Sequence, residues 1–368
     1  MMYWGLKLYR ADDYAGARRV FEKLLAADVN PDASADAAFW IAKCSVAEGK
    51  MNTAKIQLAD VIKRFGGSYQ EFRARSILKA LGKAQRVYSQ QTRDQWQSLL
   101  VADRRNFVSF EVASADSAYE SLAKELPNVD SNTLERLRFL MTNYLVEAQW
   151  ELSHVSRKTA GKDARYALAW ALFHMRAYND AIKLASSLRR ELTEPLPSAR
   201  INYLLYPLAY PDIVTAETEK YKIDPMFTLS VMREESHFRE RVVSRSDARG
   251  LMQIIPSTGE WLAGKVFGPA GFETAMLFQP SINIELGTYY LRYLLDRFDN
   301  NVVLATAGYN WGPTSLSRWM NDSAPVDMDV FIESIPAQET RRYVKKVLRS
   351  YATYRSLYPR DVLEEKRR

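Results

Sequence analysis

Apolar positions recur at helical spacing along most of the chain, and no strand-like alternation is sustained in its first 200 residues. Trp4, Leu8, Tyr14, Ala17, Phe21 and Leu24-Leu25 outline two helices broken near Asp12-Asp13, and Asn30-Pro31-Asp32 marks a connection. Phe39, Trp40, Ala42, Cys44 and Ala47 lead to Gly49, and Ala54, Leu58, Val61 and Ile62 follow. Phe65 to Tyr69 reads as a loop. A third such pattern runs through Tyr166, Ala167, Trp170, Phe173, Tyr178, Ala181 and Leu184. Residues 85–160 are helical in pattern but less regular, with a break between Asn128 and Asn132.

The second unit repeats the first at a displacement of 37 residues, Ala17 onto Ala54, close to the period of tetratricopeptide-like helix pairs. Small residues at Ala17, Ala54 and Ala181 let helices approach closely, while Trp and Phe fill the gaps. The expectation for residues 1–200 is an α-helical superhelix whose Trp and Tyr side chains are core rather than ligand contacts. Pro195, Pro197, Pro207 and Pro211 then interrupt the chain, which predicts a linker over 193–211 and a domain boundary there. The length of 368 residues agrees with two domains, 1–200 and 201–368.

In the second half, Asp224 and Pro225 open a helix as N-cap and first-turn proline. Residues 239–249 are polar and form a loop, and Gly250 permits a tight path before Leu251-Met252-Gln253. Further helices begin at Pro256 and after Gln279-Pro280. Another ends at Trp311-Gly312-Pro313, and a last one follows Ile335-Pro336. The fold class is all-α.

The chemistry concentrates between Arg233 and Gln253. Glu234 and Glu235 stand side by side in an apolar helical pattern of Met226, Phe227, Leu229, Val231, Met232 and Phe238. A carboxyl near a buried face is costly in its charged form, and a fold tolerates that cost where the proton is used. The competing reading is a partly exposed helix with two surface acids. Helical spacing does not choose between the two glutamates, because both fall within a turn's width of the apolar face.

Charge narrows the partner. A net charge of +7 favours an acidic one, whether nucleic acid, anionic lipid or an anionic cell-wall polymer. The basic residues are spread rather than blocked, which argues against nucleic acid. Cys44 is a lone cysteine in a helical pattern, expected to be a buried thiol. His154, His174 and His237 have no ligand-like spacing, so neither a metal nor another cofactor is expected. No run of eighteen apolar residues exists to form a transmembrane helix, and the first ten residues do not read as a secretory signal.

Four motifs, in this order and spacing, resemble the catalytic domain of the soluble lytic transglycosylases, goose-lysozyme-like enzymes that cut peptidoglycan. They are Glu235-Ser236, Gly250-Leu251-Met252-Gln253, Ala307-Gly308-Tyr309-Asn310, and Ile335-Pro336 with Glu339-Thr340-Arg341 and Tyr343-Val344. The resemblance covers roughly residues 205–360, and the helical first half is similar to part of the superhelix of the large soluble members. It implies a lysozyme-like α domain and makes Glu235, the glutamate before the serine, the catalytic residue. Glu234 falls where the family varies and is expected to be solvated. The resemblance also implies that Ser236 orients Glu235 and the substrate, and that Met252 and Gln253 line the groove, with core packing as the competing role for Met252. Tyr309 would hydrogen-bond near the catalytic carboxylate, Asn310 would hold the turn, and Glu339 and Tyr343 would contact the glycan or its peptide. Trp311 and Gln279 depart from the family's pattern, which bears on subsite shape.

The implied reaction is cleavage of the β-1,4 bond between N-acetylmuramic acid and N-acetylglucosamine without water, leaving 1,6-anhydro-muramoyl ends. The implied partners are peptidoglycan strands and muropeptides. Two other readings stand beside it: a muramidase that hydrolyses the same bond, and a non-enzymatic peptidoglycan-binding scaffold. The substrate implies the periplasm, and with it a native reading frame that begins upstream of Met1. The helical half is expected to guide the glycan, so that a chain beginning near Arg200 would keep its chemistry on short muropeptides.

Overall fold

The computed structural model describes residues 1–81, 115–126, 129–156, 161–191, 199–268, 271–320 and 327–358. The chain is all-α. In order the helices are α1 (Met2–Arg10), α2 (Tyr14–Ala26), α3 (Pro31–Ala47), α4 (Met51–Arg64), α5 (Tyr69–Ala80), α6 (Ala115–Lys124), α7 (Ser131–Thr142), α8 (Glu147–Ser156), α9 (Lys162–His174) and α10 (Tyr178–Glu191). There follow α11 (Ala199–Leu205), α12 (Pro211–Tyr221), α13 (Pro225–Ser236), α14 (Pro256–Val266), a 3₁₀ turn over Thr274–Phe278, α15 (Pro280–Arg297), α16 (Val302–Trp311), α17 (Pro313–Met320), α18 (Met328–Ser334) and α19 (Gln338–Leu357). Among the described residues no helix is long and apolar enough to cross a membrane. Of the less regular region expected over 85–160, residues 85–114, 127–128 and 157–160 lie outside the described residues.

The chain forms two compact units that interleave in sequence: residues 1–90 with 293–352, and residues 91–292 with 353–368. The first unit is therefore not the N-terminal helices alone. In it, α1 to α5 pack each on the next. The starts of α2, α3 and α5 carry local caps: Asp13 accepts from the Gly16 amide at 2.8 Å, Asn30 from Ala33 at 2.9 Å and Ser68 from Glu71 at 3.0 Å. Ala17, Phe21, Trp40, Cys44, Ala54, Leu58 and Val61 are buried, as the periodicity predicts. Burial pushes the Cys44 thiol up to about 12, so it stays protonated at neutral pH. Trp4 departs from the expectation of a core tryptophan. It is 60 % exposed, with Lys7 over its ring.

Charged groups join α3 and α5 to the later segment of the same unit. Asp329, its side chain 2 % exposed, receives Nε of Arg73 at 2.6 Å, a second Arg73 nitrogen at 2.9 Å and Nζ of Lys43 at 3.1 Å. Lys43 also donates to Asp327 at 2.8 Å. On α19, Lys345 reaches Asp36 at 3.0 Å and Glu333 at 2.6 Å, and Gln70 donates to Asp36. Burial alone would raise the Asp329 carboxyl, but the Arg73 hydrogen bonds and the Arg73 and Lys43 charges hold it below its usual range.

In the second unit α9 and α10 form the third helix pair of the pattern, with Ala167, Trp170, Tyr178 and Ala181 buried. Trp150 on α8 is instead 71 % exposed. The expected linker over 193–211 is not one throughout. The prolines at 197 and 207 leave room for a short helix, and α11 occupies it. Tyr203, Leu204, Leu205, Tyr206, Leu208, Ala209 and Tyr210 are all buried, which makes this stretch core.

Candidate active site

The glutamate pair sits at the end of α13. Asp224 caps the helix, accepting from the Met226 amide at 3.0 Å, and Pro225 occupies the first turn. Met226, Phe227, Leu229, Val231 and Met232 are at most 4 % exposed, each worth about 1.5–3 kcal/mol of burial. Thr228 and Ser230 are also buried, so α13 is enclosed around its circumference until its last turn. Glu235 emerges there, half-buried, between buried Arg233 and buried Ser236. The helix then stops abruptly. His237 and Phe238 both take left-handed backbone angles, φ 50° and 63°, which cost non-glycine residues roughly 1–3 kcal/mol each. Phe238 is held in that geometry by burial against Tyr178, ring centroids 5.9 Å apart.

Two expectations change here. Glu234 is not solvated: its side chain is 5 % exposed and ion-paired with Arg233, itself 9 % exposed. Glu234 is thus held in a salt bridge at the last turn of the helix. Ser236 is fully buried, and its hydroxyl donates to the Met232 carbonyl at 3.2 Å. That bond turns the side chain back onto its own helix.

The Gly250–Gln253 motif is a tight loop held from α15. Gly250 has φ 76°, and a Cβ there would lie 2.2 Å from the Leu277 carbonyl oxygen, so only glycine fits. Asn283, fully buried, accepts from the Met252 amide at 2.7 Å and donates to the Leu277 and Arg249 carbonyls at 2.7 and 3.0 Å. Residue-by-residue reading passed over Asn283. Its only signal was a polar residue between Ile282 and Ile284. Met252 is 0 % exposed and packed on Gly287, where its sulfur occupies the space a Cβ would need, so its side chain is core rather than groove lining. Gln253, half-buried with φ 51°, donates to the Gly250 carbonyl at 2.9 Å and the Val242 carbonyl at 3.3 Å.

The remaining candidates belong to the other unit. Tyr309 and Asn310 end α16, which Gly312 terminates at φ 85° before Pro313. Asn310 Oδ1 accepts from the Thr340 hydroxyl at 2.7 Å, tying the α16 end to the first turn of α19. Glu339 is exposed on that turn, and Tyr343 is buried one turn on. Trp311, the departure noted in sequence, packs against Trp319, and Trp319 against Phe331, at centroid distances of 5.9 and 5.4 Å. No group of three or more His, Cys, Asp or Glu side chains suited to a metal occurs among the described residues.

Solved structures place this architecture among the helical lytic-transglycosylase folds. An inactive mutant of the lytic transglycosylase Slt from Pseudomonas aeruginosa superposes with a TM-score of 0.66 at 22% identity, over 96% of this chain and 51% of that one. The 70 kDa soluble lytic transglycosylase of Escherichia coli gives 0.53 at 24%, over 98% and 63%. In sequence, residues 212–331 match the family model of the Transglycosylase SLT domain. The matched span holds Glu235, Ser236, Met252, Gln253, Tyr309 and Asn310. The soluble lytic murein transglycosylase of Salmonella typhimurium is 40% identical over 151 residues, 41% of this chain. Membrane-bound lytic murein transglycosylase C of Edwardsiella ictaluri is 33% identical over 172 residues, 40% of this chain and 47% of that protein. The chain covers only 23% of the length of the Salmonella relative.

Proposed function

We propose that this chain is a peptidoglycan lytic transglycosylase, with Glu235 as its single acid–base group. The observation that carries the reading is the Arg233 salt bridge that occupies the neighbouring carboxylate, Glu234, at the end of α13. Glu234 is committed to Arg233, while Glu235, half-buried, directly precedes Ser236. Glycosidases that hydrolyse usually employ two carboxylates, one as acid and one as nucleophile or base. A sealed Glu234 is a poor second member of such a pair.

In the proposed reaction the Glu235 carboxylic acid protonates the glycosidic oxygen between N-acetylmuramic acid and N-acetylglucosamine as the C1–O bond breaks. The resulting carboxylate takes the proton from the muramoyl C6 hydroxyl, whose oxygen bonds to C1. The proton returns to Glu235 and no water is consumed. Acid–base catalysis of this kind contributes about 10²- to 10⁴-fold. Substrate distortion and dipoles around the oxocarbenium-like centre supply the remainder. Tyr309 and Gln253 are assigned to the substrate side, with Glu339 and Tyr343 toward the glycan or its peptide. Asn310 supports the turn, and Ser236 and Met252 support from within. Residues 201–368 carry the chemistry in this reading, residues 1–200 guide the strand, and the site of action is the periplasm.

Purified sacculi incubated with the full chain should release soluble muropeptides at a rate unchanged by a chelator. Binding to sacculi without release would favour the scaffold reading instead. Loss of release in chelator, restored by added zinc, would contradict a metal-free mechanism.

A further inference from the structure

The ion pair next to Glu235 is part of a larger buried construction. Arg233 Nε donates to the Leu205 carbonyl at 2.8 Å, and its guanidinium lies 4.3 Å from the ring centroid of Tyr206. The next two carbonyls in that stretch are satisfied from the end of α19 and the residue beyond it. Tyr358 donates to Tyr206 at 2.8 Å and Tyr354 to Pro207 at 2.9 Å. The Tyr354 ring packs edge-on against Tyr206 at 5.4 Å. Carbonyls at a helix end lack intrahelical partners, and Pro207 cannot continue α11. Three consecutive acceptors at 205–207 thus gather three side-chain donors, one of them on the turn that carries Glu235.

We propose that Arg233 and Glu234 are positioning residues for Glu235, a buried ion pair that fixes the rotation of the last turn of α13 against the 205–207 segment. The inference rests on the catalytic role proposed for Glu235. Successive helical residues point about 100° apart, so anchoring residues 233 and 234 sets the direction in which residue 235 projects. On the other side, buried Ser236 and the left-handed His237 and Phe238 prevent the turn from unwinding. The arginine fork matters, since one edge binds a carbonyl while another holds a carboxylate. The pair also neutralises Glu234, which would otherwise be an uncompensated carboxylate beside the acid. A misplacement of about 1 Å at a reacting group can cost on the order of 100-fold in rate.

The test uses the full chain on uncrosslinked glycan strands, with kcat and KM measured beside the melting midpoint for Glu234→Gln, Arg233→Lys and the double variant Arg233→Met/Glu234→Met. Every folded variant should lose about 10- to 100-fold in kcat with KM within about threefold. The double variant separates positioning from stability, because replacing a buried ion pair by apolar residues is often neutral or stabilising. Its kcat should stay low even where its melting midpoint matches the parent's. If the single variants do not fold, the double variant alone decides. A folded variant with parental kcat, or a double variant that recovers kcat together with stability, would overturn the inference. A parent chain that does not turn over the strands would overturn the catalytic reading itself and this inference with it.

Discussion

Glutamine at position 235 should abolish muropeptide release while leaving the fold and glycan binding intact. The substitution preserves shape at a half-buried position, so the packing of α13 is not disturbed. It removes the acid and base through which both proton transfers of the proposed reaction pass, which should cost at least the roughly 10²- to 10⁴-fold of general acid–base catalysis. Glu234→Gln is not a neutral control, because it disrupts the pair with Arg233. Glu260→Gln, exposed on α14, is the appropriate one, and it should keep most of the activity. Release rates from sacculi, with melting midpoints and sacculus pull-down run in parallel, check the expectation. More than a few per cent of parental release in Glu235→Gln would move the acid elsewhere.

A chain beginning at Arg200 should be inactive even on short muropeptides, contrary to the expectation from sequence. Residues 293–352 share a unit with residues 1–90, and removing α3 and α5 takes away Lys43, Arg73 and Asp36. Asp329 and Lys345 would lose those partners, and Val330 on α18 would lose the apolar cluster of the first helices that it packs against. Removing one member of a buried pair costs about 3–5 kcal/mol, and here several are removed together. In the full chain, Asp329→Asn isolates the effect and should destabilise the first unit by about 3 kcal/mol, since Asn keeps an acceptor for Arg73 but no charge. The sign with pH follows from the depressed Asp329 pKa. Its contribution is present above the unfolded value of about 4 and is lost as pH falls through the lower folded value. Melting curves of Asp329→Asn and the parent should therefore converge on acidification. Hydrogen exchange over 293–352 would show the damage, and a fully active, protected truncated chain would contradict this account.

What could be read from sequence was what local chemistry decides. Asp224-Pro225 and Gly312-Pro313 mark helix ends because a cap, a missing amide or a left-handed angle is settled within a few residues. Gly250 was legible for the same reason, and the helical periods placed Ala17, Trp40 and Trp170 in the core. Partners distant in the chain were not legible. Glu234 and Glu235 look alike until Arg233 is seen with its fork on Leu205. Asp329 is an ordinary surface acid until Arg73, 256 residues away, closes on it. The 193–211 stretch misled because prolines forbid a continuous helix yet leave space for α11, and burial of its tyrosines depends on Tyr354 and Tyr358. Prolines near residue 200 mark a break in the helical pattern but say nothing of which helices return to pack with the first five.

The central claim is cleavage without water, and the mass of the new glycan ends tests it most directly. Sacculi digested to completion by the full chain, then separated and weighed by mass spectrometry, should yield muropeptides ending in 1,6-anhydro-N-acetylmuramic acid, one water lighter than their reducing counterparts. Digestion in ¹⁸O-labelled water should leave those ends unlabelled. Reducing muramic acid ends that carry the label from the first time point would show that water is the nucleophile and would contradict the account.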